Sequence, residues 1–307
     1  MEEGKIWDVI IVGGGPAGLT AGIYASRARR EALILERLAP GGLMTLTDRI
    51  DNYPGFKDGI AGYELAQAME AQAVKLGASV EHATVEKVES DGDLKSVHTD
   101  KGSYRAKTVV IASGTQPRRL NVPGESKLFG RGVSTCATCD GPFFRDRVVG
   151  VVGGGDSAVQ ESIYLSRFAR EVHIIHRRDQ LRAVKNLQEK AFSIESIKFH
   201  WNRVPIAIEG ENKVEAVILK DTKTGDTERL PLDGLFIFIG LLPNTSFLVD
   251  LPLTTDEHGF IVTNENMETS VPGIYAVGDV RSKSLRQIAT AVADGAIAAF
   301  DLEKYLG

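Results

Sequence analysis

The chain has 307 residues, enough for two ordinary hydrophobic cores, and its 43% hydrophobic and 25% charged residues are those of a globular protein. A formal charge of -5 excludes nucleic acid as a general partner, because there is no basic excess to neutralise phosphates. No secretory signal stands before the first strand pattern, and the longest apolar run, 234–242, is far below the ~20 residues of a spanning helix. A cytoplasmic protein without membrane contact is expected.

From the N-terminus, Met1-Glu2-Glu3-Gly4-Lys5 leads into the apolar strand Asp8-Val9-Ile10-Ile11-Val12 and then the turn Gly13-Gly14-Gly15-Pro16-Ala17-Gly18. Gly13 permits a tight turn, Gly15 lets backbone approach a pyrophosphate, and Gly18 lets helix pack closely on strand. An anion would sit at the helix start, where free N–H groups and the dipole favour negative charge. A second strand ends at Glu36, 23 residues after Gly13, where a carboxylate bonds a ribose 2′-OH.

Turn-rich stretches follow at Pro40-Gly41-Gly42-Leu43 and Asp51-Asn52-Tyr53-Pro54-Gly55, beside this first cofactor site. Residues 62–76 have helical spacing, with Leu65, Met69, Ala73 and Leu76 on one face, and read as core. Short alternating strands run to about Tyr104, and a strand at 108–112 closes the region. Residues 115–119 read as a linker, as do 240–244 at the far end of the middle segment.

That middle segment holds the only two cysteines, in Thr135-Cys136-Ala137-Thr138-Cys139-Asp140. A chain this large does not need one short-loop disulfide for stability, so a lone C-x-x-C in a reducing compartment reads as redox chemistry. Zinc is the rival, since His173 and His176 complete a set of four ligand types. His173 lies inside a strand, however, and need not converge with the cysteines, so no metal is expected.

Sliding the sequence by 140 residues then exposes a repeat: residues 12–37 and 152–177 agree at 12 of 26 positions. Both copies read strand, glycine turn, helix, strand, which is the opening of a dinucleotide-binding unit. In the second copy the turn roles fall to Gly153, Gly155 and Ala158, with Asp156 and Ser157 opening the helix. At the offset of Glu36 stands His176, followed by Arg177, Arg178 and Arg182. A carboxylate there would repel a 2′-phosphate, whereas arginines bind it, so this site is expected to prefer NADPH to NADH. The chain closes with a strand ending in Gly278-Asp279 and a helical run from Gln287 to Leu302.

The string at 132–141, GVSTCATCDG, together with His176-Arg177-Arg178-Asp179, Gly278-Asp279-Val280 and Arg286-Gln287-Ile288, resembles the low-molecular-weight thioredoxin reductases over essentially the whole chain. The resemblance implies an α/β fold of two Rossmann-like, three-layer ββα nucleotide-binding domains, the second inserted into the first. Residues 1–117 and 244–307 would form the FAD domain, and 118–243 the NADPH domain with the redox motif. FAD would contact Gly13, Gly15, Pro16, Ala17, Gly18, Glu36, Gly41, Gly42, Leu43, Asn52 and Val85. From the C-terminal segment it would meet Gly278, Asp279, Arg286, Gln287 and Ile288. Leu43 departs from the family, which often has Gln there, and Ser113 replaces a common Thr. The resemblance further implies a homodimer, thioredoxin as partner, and rotation of the inserted domain. Cys139 would face the flavin, Cys136 would attack thioredoxin's disulfide, and Asp140 would move protons. Competing readings are a flavin reductase for ferredoxin or flavodoxin, a dithiol oxidase, and a flavin-binding protein without turnover; the C-A-T-C string and the arginines argue against them.

Overall fold

A computed structural model describes residues 5–47, 50 and 52–307, without the side chains of Leu46 and Cys139. Residues 1–4 of the N-terminal reading and Asp51 of the turn lie outside the described residues. The chain divides into two compact units, one made of Met1–Gln116 with Leu242–Gly307 and the other of Pro117–Leu241.

The discontinuous unit is built on a seven-stranded sheet in the order Ser79–His82, Ala32–Glu36, Ile6–Val12, Gly102–Ile111, Leu94–Thr99, Val85–Asp91. Strand Gly102–Ile111 is shared: its first half pairs antiparallel with Leu94–Thr99, and its second half pairs parallel with Ile274–Ala276. The C-terminal segment therefore completes the sheet begun at the N-terminus. Val9, Ile10 and Ile11 are fully buried, as expected of a parallel strand covered on both faces. Each such side chain contributes roughly 1.5–3 kcal/mol by leaving water, so the run outweighs any single cap or surface contact. One face packs helices Pro16–Arg27, Gly62–Lys75 and Ile288–Leu306, and the other packs against residues of the antiparallel meander and of segment 248–280.

The inserted unit repeats the plan. Its parallel sheet runs Ile197–Trp201, Glu171–His176, Val148–Val152, Gly234–Ile237, Val133–Ser134. Helices Asp156–Leu165 and Lys185–Phe192 cover one face around Val149, Val151 and Phe236. The antiparallel sheet of Arg203–Glu209, Ala216–Asp221 and Thr227–Pro231 covers the other around Ile175, Val217 and Leu235. The inserted unit is thus a helix layer, a parallel sheet and a separate antiparallel sheet, whereas in the discontinuous unit the antiparallel strands Leu94–Thr99 and Val85–Asp91 continue the main sheet through Gly102–Ile111.

The segments read as linkers are less irregular than expected. Thr115–Pro117 and Leu241–Pro243 pair as a two-stranded sheet, because proline holds its neighbours extended and leaves them free to pair. Among the described residues no helix is long and apolar enough to cross a membrane.

Candidate functional site

Both glycine turns leave bare helix starts. Gly15 and Gly155 cap helices Pro16–Arg27 and Asp156–Leu165 with no side-chain hydrogen bond, so first-turn amides stay available to a ligand. A Cβ at either glycine would meet nothing within 4 Å, which leaves open space over each turn. Behind that space the packing is tight. Gly13 has φ +109°, and a Cβ on Gly18 would lie 1.9 Å from the Gly13 carbonyl oxygen, so helix and turn meet at a distance only glycine allows.

Around the first turn the described residues converge. The Glu36 carboxylate accepts the Gly14 amide at 2.7 Å and the Leu38 amide at 2.8 Å. The Gly41 amide donates to the Gly14 carbonyl at 2.7 Å, drawing Gly41 and Gly42 against the turn, while Leu43 is 49% exposed. Gly278 packs close to Ala17, so the Gly-Asp turn lies against the first turn of the same helix. Asp279 Oδ1 is buried without a hydrogen-bond partner. Burial pushes the Asp279 carboxyl pKa up, Lys283 and Arg286 oppose that shift, and Asp294 adds to it. An orphaned buried acceptor in a turn packed against that helix start suits a ligand hydroxyl.

Asn52 Nδ2 donates to Gln287 Oε1 at 2.9 Å, and Gln287 caps helix Ile288–Leu306. Arg286 is turned to the protein itself. Its guanidinium donates to the carbonyls of Asp279 and Arg281 at 3.1 and 3.2 Å and lies over the Phe260 ring at 4.0 Å. It therefore braces the Gly278–Val280 turn. Val85 is half-buried and opens the strand after Ser79–His82, the neighbour of the Glu36 strand.

Asp294 was missed in the sequence reading. It is buried, accepts the Gly278 amide at 3.0 Å, and pairs with Arg281 at 2.9 Å and Lys283 at 2.8 Å. The available signal was an acid on the apolar face of the last helix, a face that also carries Asp301.

At the second turn the arginine loop is tied to the glycines: the Arg182 amide donates to the Gly154 carbonyl at 2.6 Å. Asp156 Oδ1 accepts the Val184 amide at 2.7 Å, and the Asn202 amide holds the Arg178 carbonyl at 3.2 Å. Arg177, Arg178 and Arg182 are exposed, as is Ser157, while Ala158 is buried under the turn. His176 is buried with Nε2 unpartnered. Burial pushes its pKa down; a backbone hydrogen bond with Gln180 opposes this, and the three arginines add to it. A neutral, buried ring among three guanidinium groups is the arrangement an incoming phosphate would complete.

The redox motif lies in the same unit, on the four-residue helix Ala137–Asp140 after strand Val133–Ser134. Ser134 Oγ accepts the Cys136 amide at 3.0 Å, and the Asp140 amide donates to the Cys136 carbonyl at 3.1 Å. Cys136 Sγ is 3.4 Å from Thr138 Oγ1, and Cys136 is disulfide-bonded. Asp140 is half-buried; the Cys139 side chain lies outside the described residues. His173 turns away to His200 and Glu171, and among the described residues no group of three or more His, Cys, Asp or Glu could hold a metal ion.

The family model described as pyridine nucleotide-disulphide oxidoreductase matches residues 7–295. A thioredoxin reductase from Bacillus subtilis is 48% identical over 307 residues, covering 100% of this chain and 96% of its own. One from Treponema pallidum is 47% identical, covering 98% and 97%. The crystal structure of thioredoxin reductase from Streptococcus pyogenes has a TM-score of 0.82 and 49% identity over 98% of both chains.

Proposed function

The chain belongs to the pyridine nucleotide-disulphide oxidoreductase family and catalyses the thioredoxin reductase reaction with a flavin and a nicotinamide nucleotide; we propose that the nucleotides are FAD and NADPH. The observation that carries the assignment is the unlike pair of strand ends, Glu36 after the first glycine turn and His176-Arg177-Arg178 after the second.

FAD would be held by the discontinuous unit. The amides at Gly15 to Gly18 would take its pyrophosphate, Glu36 a ribose hydroxyl, and Asp279 a hydroxyl of the chain between ring and phosphate. Gly41, Gly42, Leu43, Asn52, Val85, Gln287 and Ile288 would line the rest, with Arg286 bracing the turn. NADPH would be held by the inserted unit, its pyrophosphate at Gly153, Gly155, Asp156, Ser157 and Ala158 and its 2′-phosphate at His176, Arg177, Arg178 and Arg182. Bound there, the flavin would supply two-electron transfer between the reduced nicotinamide and a disulfide.

Cys136 and Cys139 supply that disulfide. Cleaving its S–S bond with two electrons yields two thiolates, and Asp140 delivers and removes the protons. The Cys136 thiolate attacks one sulfur of the thioredoxin disulfide, expelling the other as a thiolate and leaving a mixed disulfide. Cys139 then displaces reduced thioredoxin and restores the Cys136–Cys139 bond, so sulfur and electrons balance. A disulfide that is reduced in each turnover belongs in a reducing compartment, which supports the cytoplasm. The likeness to the reductase family supports a homodimer, read directly by sedimentation.

The decisive experiment is NADPH-dependent reduction of thioredoxin by the purified yellow protein. A folded, colourless protein that takes up no added FAD would end this reading.

A further inference from the structure

Four side chains of the inserted unit stand in a line that the redox reaction does not use. Glu171 Oε2 is 3.2 Å from His173 Nε2, His173 Nδ1 is 2.9 Å from His200 Nε2, and His200 Nδ1 is 3.6 Å from Glu228 Oε1. The rings lie on neighbouring strands, Glu171–His176 and Ile197–Trp201, with centroids 5.1 Å apart, and His173 is buried. Glu228 belongs to the antiparallel sheet, so the line joins both β layers of the unit.

Each of the three contacts needs one ring proton to become a hydrogen bond. Two neutral imidazoles carry two protons between them, so one contact always goes without. Three ring protons complete all the contacts. A fourth would set two N–H groups against each other across the 2.9 Å gap. The outer separation, 3.6 Å, is the longest of the three, so it is the contact that a neutral pair would leave bare, with a lone pair of His200 Nδ1 toward the Glu228 carboxylate.

The neighbours carry the consequence toward the coenzyme site. Glu228 Oε1, the atom facing His200, also takes Arg203 Nε at 3.2 Å. Arg203 pairs with Asp221 as well and donates to the Trp201 carbonyl at 3.4 Å. Between Trp201 and Arg203, the Asn202 amide holds the carbonyl of Arg178 at 3.2 Å. A proton on His200 would set a second cation against Arg203 at their shared Glu228 Oε1, loosening Arg203 and with it the segment on which Arg178 rests.

We propose that Glu171, His173, His200 and Glu228 form a relay with room for one added proton, which makes the seat of Arg178 responsive to mild acid. The second part rests on the coenzyme reading above. The remaining charges acting on the pair are Lys198 on its own strand and Arg203, both opposing protonation. Strand Val148–Val152 places uncharged Gly150 beside His173. Burial, the largest influence, pushes the pKa of both rings down, so the added proton enters below the ordinary imidazole range.

The test is nitrogen NMR of the flavin-loaded enzyme with labelled imidazoles, titrated from about pH 8 to about pH 5, a span that brackets the free imidazole value. The expected result is two Nε2–H tautomers at the upper end and a gain of one proton shared by both rings. Two independent imidazolium ions, one already present at the upper end, or no proton gained would overturn the relay. His200→Gln keeps a donor toward His173 but cannot take the proton. Relative to it, the wild-type KM for NADPH should diverge about two- to fivefold in acid at unchanged kcat, the effect of one partly exposed ion pair. Superimposable KM profiles would overturn the link to Arg178, since titration of the coenzyme phosphate is common to both proteins. A preference for NADH at the upper end, where the pair is neutral, would overturn the coenzyme reading and leave the proton count to judge the relay.

Discussion

The His176 ring fills the place that a Cβ on Gly154 would need, with ring atoms 2.3 Å from that position. At the matching place in the first turn, a Cβ on Gly14 would meet Glu36 at 3.2 Å. The middle glycine of each turn therefore backs onto the residue that would read the ribose, more tightly in the second copy.

Gly154→Ala should displace His176 and its neighbouring arginines while sparing the flavin. Overpacking of this kind costs roughly 1–3 kcal/mol, so the KM for NADPH should rise about 5- to 150-fold. Steady-state kinetics read the effect, and an unchanged flavin-to-protein absorbance ratio separates it from misfolding. An unaltered KM would show that His176 does not seat the coenzyme.

Coenzyme choice should follow Arg177 and Arg178. Charge-assisted contacts contribute about 1.5–3 kcal/mol each, so replacing both with Ala should lower kcat/KM for NADPH by at least a hundredfold. Activity with NADH, which lacks the 2′-phosphate, should change little. Equal losses for both coenzymes would mark the arginines as structural.

Much of this site could be read from sequence because glycine spacing is a local requirement. A tight turn, an open cradle and a close helix need small residues at set positions, and Gly13, Gly15 and Gly18 declare them. Asp294 could not be read that way: its work is to hold the Gly278 amide and two cations brought close by the fold. The His173–His200 contact was equally hidden, because it depends on strand register across 27 residues. Arg286 matched a motif, yet only the fold shows its guanidinium turned inward to the Asp279 and Arg281 carbonyls.

Glu161 gives a stability prediction with a definite sign. Its Oε2 is buried on helix Asp156–Leu165 without a hydrogen-bond partner, and burial pushes its pKa up. The folded state thus holds this proton more tightly than the unfolded chain. Stability is fully present below the ordinary carboxyl range and falls as pH rises from that range through the raised folded value. Glu161→Gln removes the charge and should raise the melting temperature at neutral pH by one to a few degrees, about 1.5 °C per kcal/mol where all 307 residues melt as one unit. In acid, where both residues are neutral, the difference should vanish. A variant less stable than wild type at neutral pH would mean that the carboxylate has a partner in solution.

The two sulfurs give the most direct test of the mechanism. If Cys139 faces the flavin, Cys136→Ser leaves a lone Cys139 sulfur beside the ring. A thiolate there, next to oxidised flavin, produces a long-wavelength charge-transfer band. Its loss on acidification reports the thiol pKa, about 8.5 for a free cysteine and lower where surroundings favour the anion. Cys139→Ser should lack the band, because Cys136 would serve the thioredoxin side. Both variants should still be bleached by NADPH, since hydride transfer to the flavin needs neither sulfur, and both should fail to reduce thioredoxin. A band in Cys139→Ser alone would exchange the two roles. Near-full thioredoxin turnover by either variant would show that electrons leave the flavin without the disulfide, and the relay from Cys139 to Cys136 would have to be abandoned.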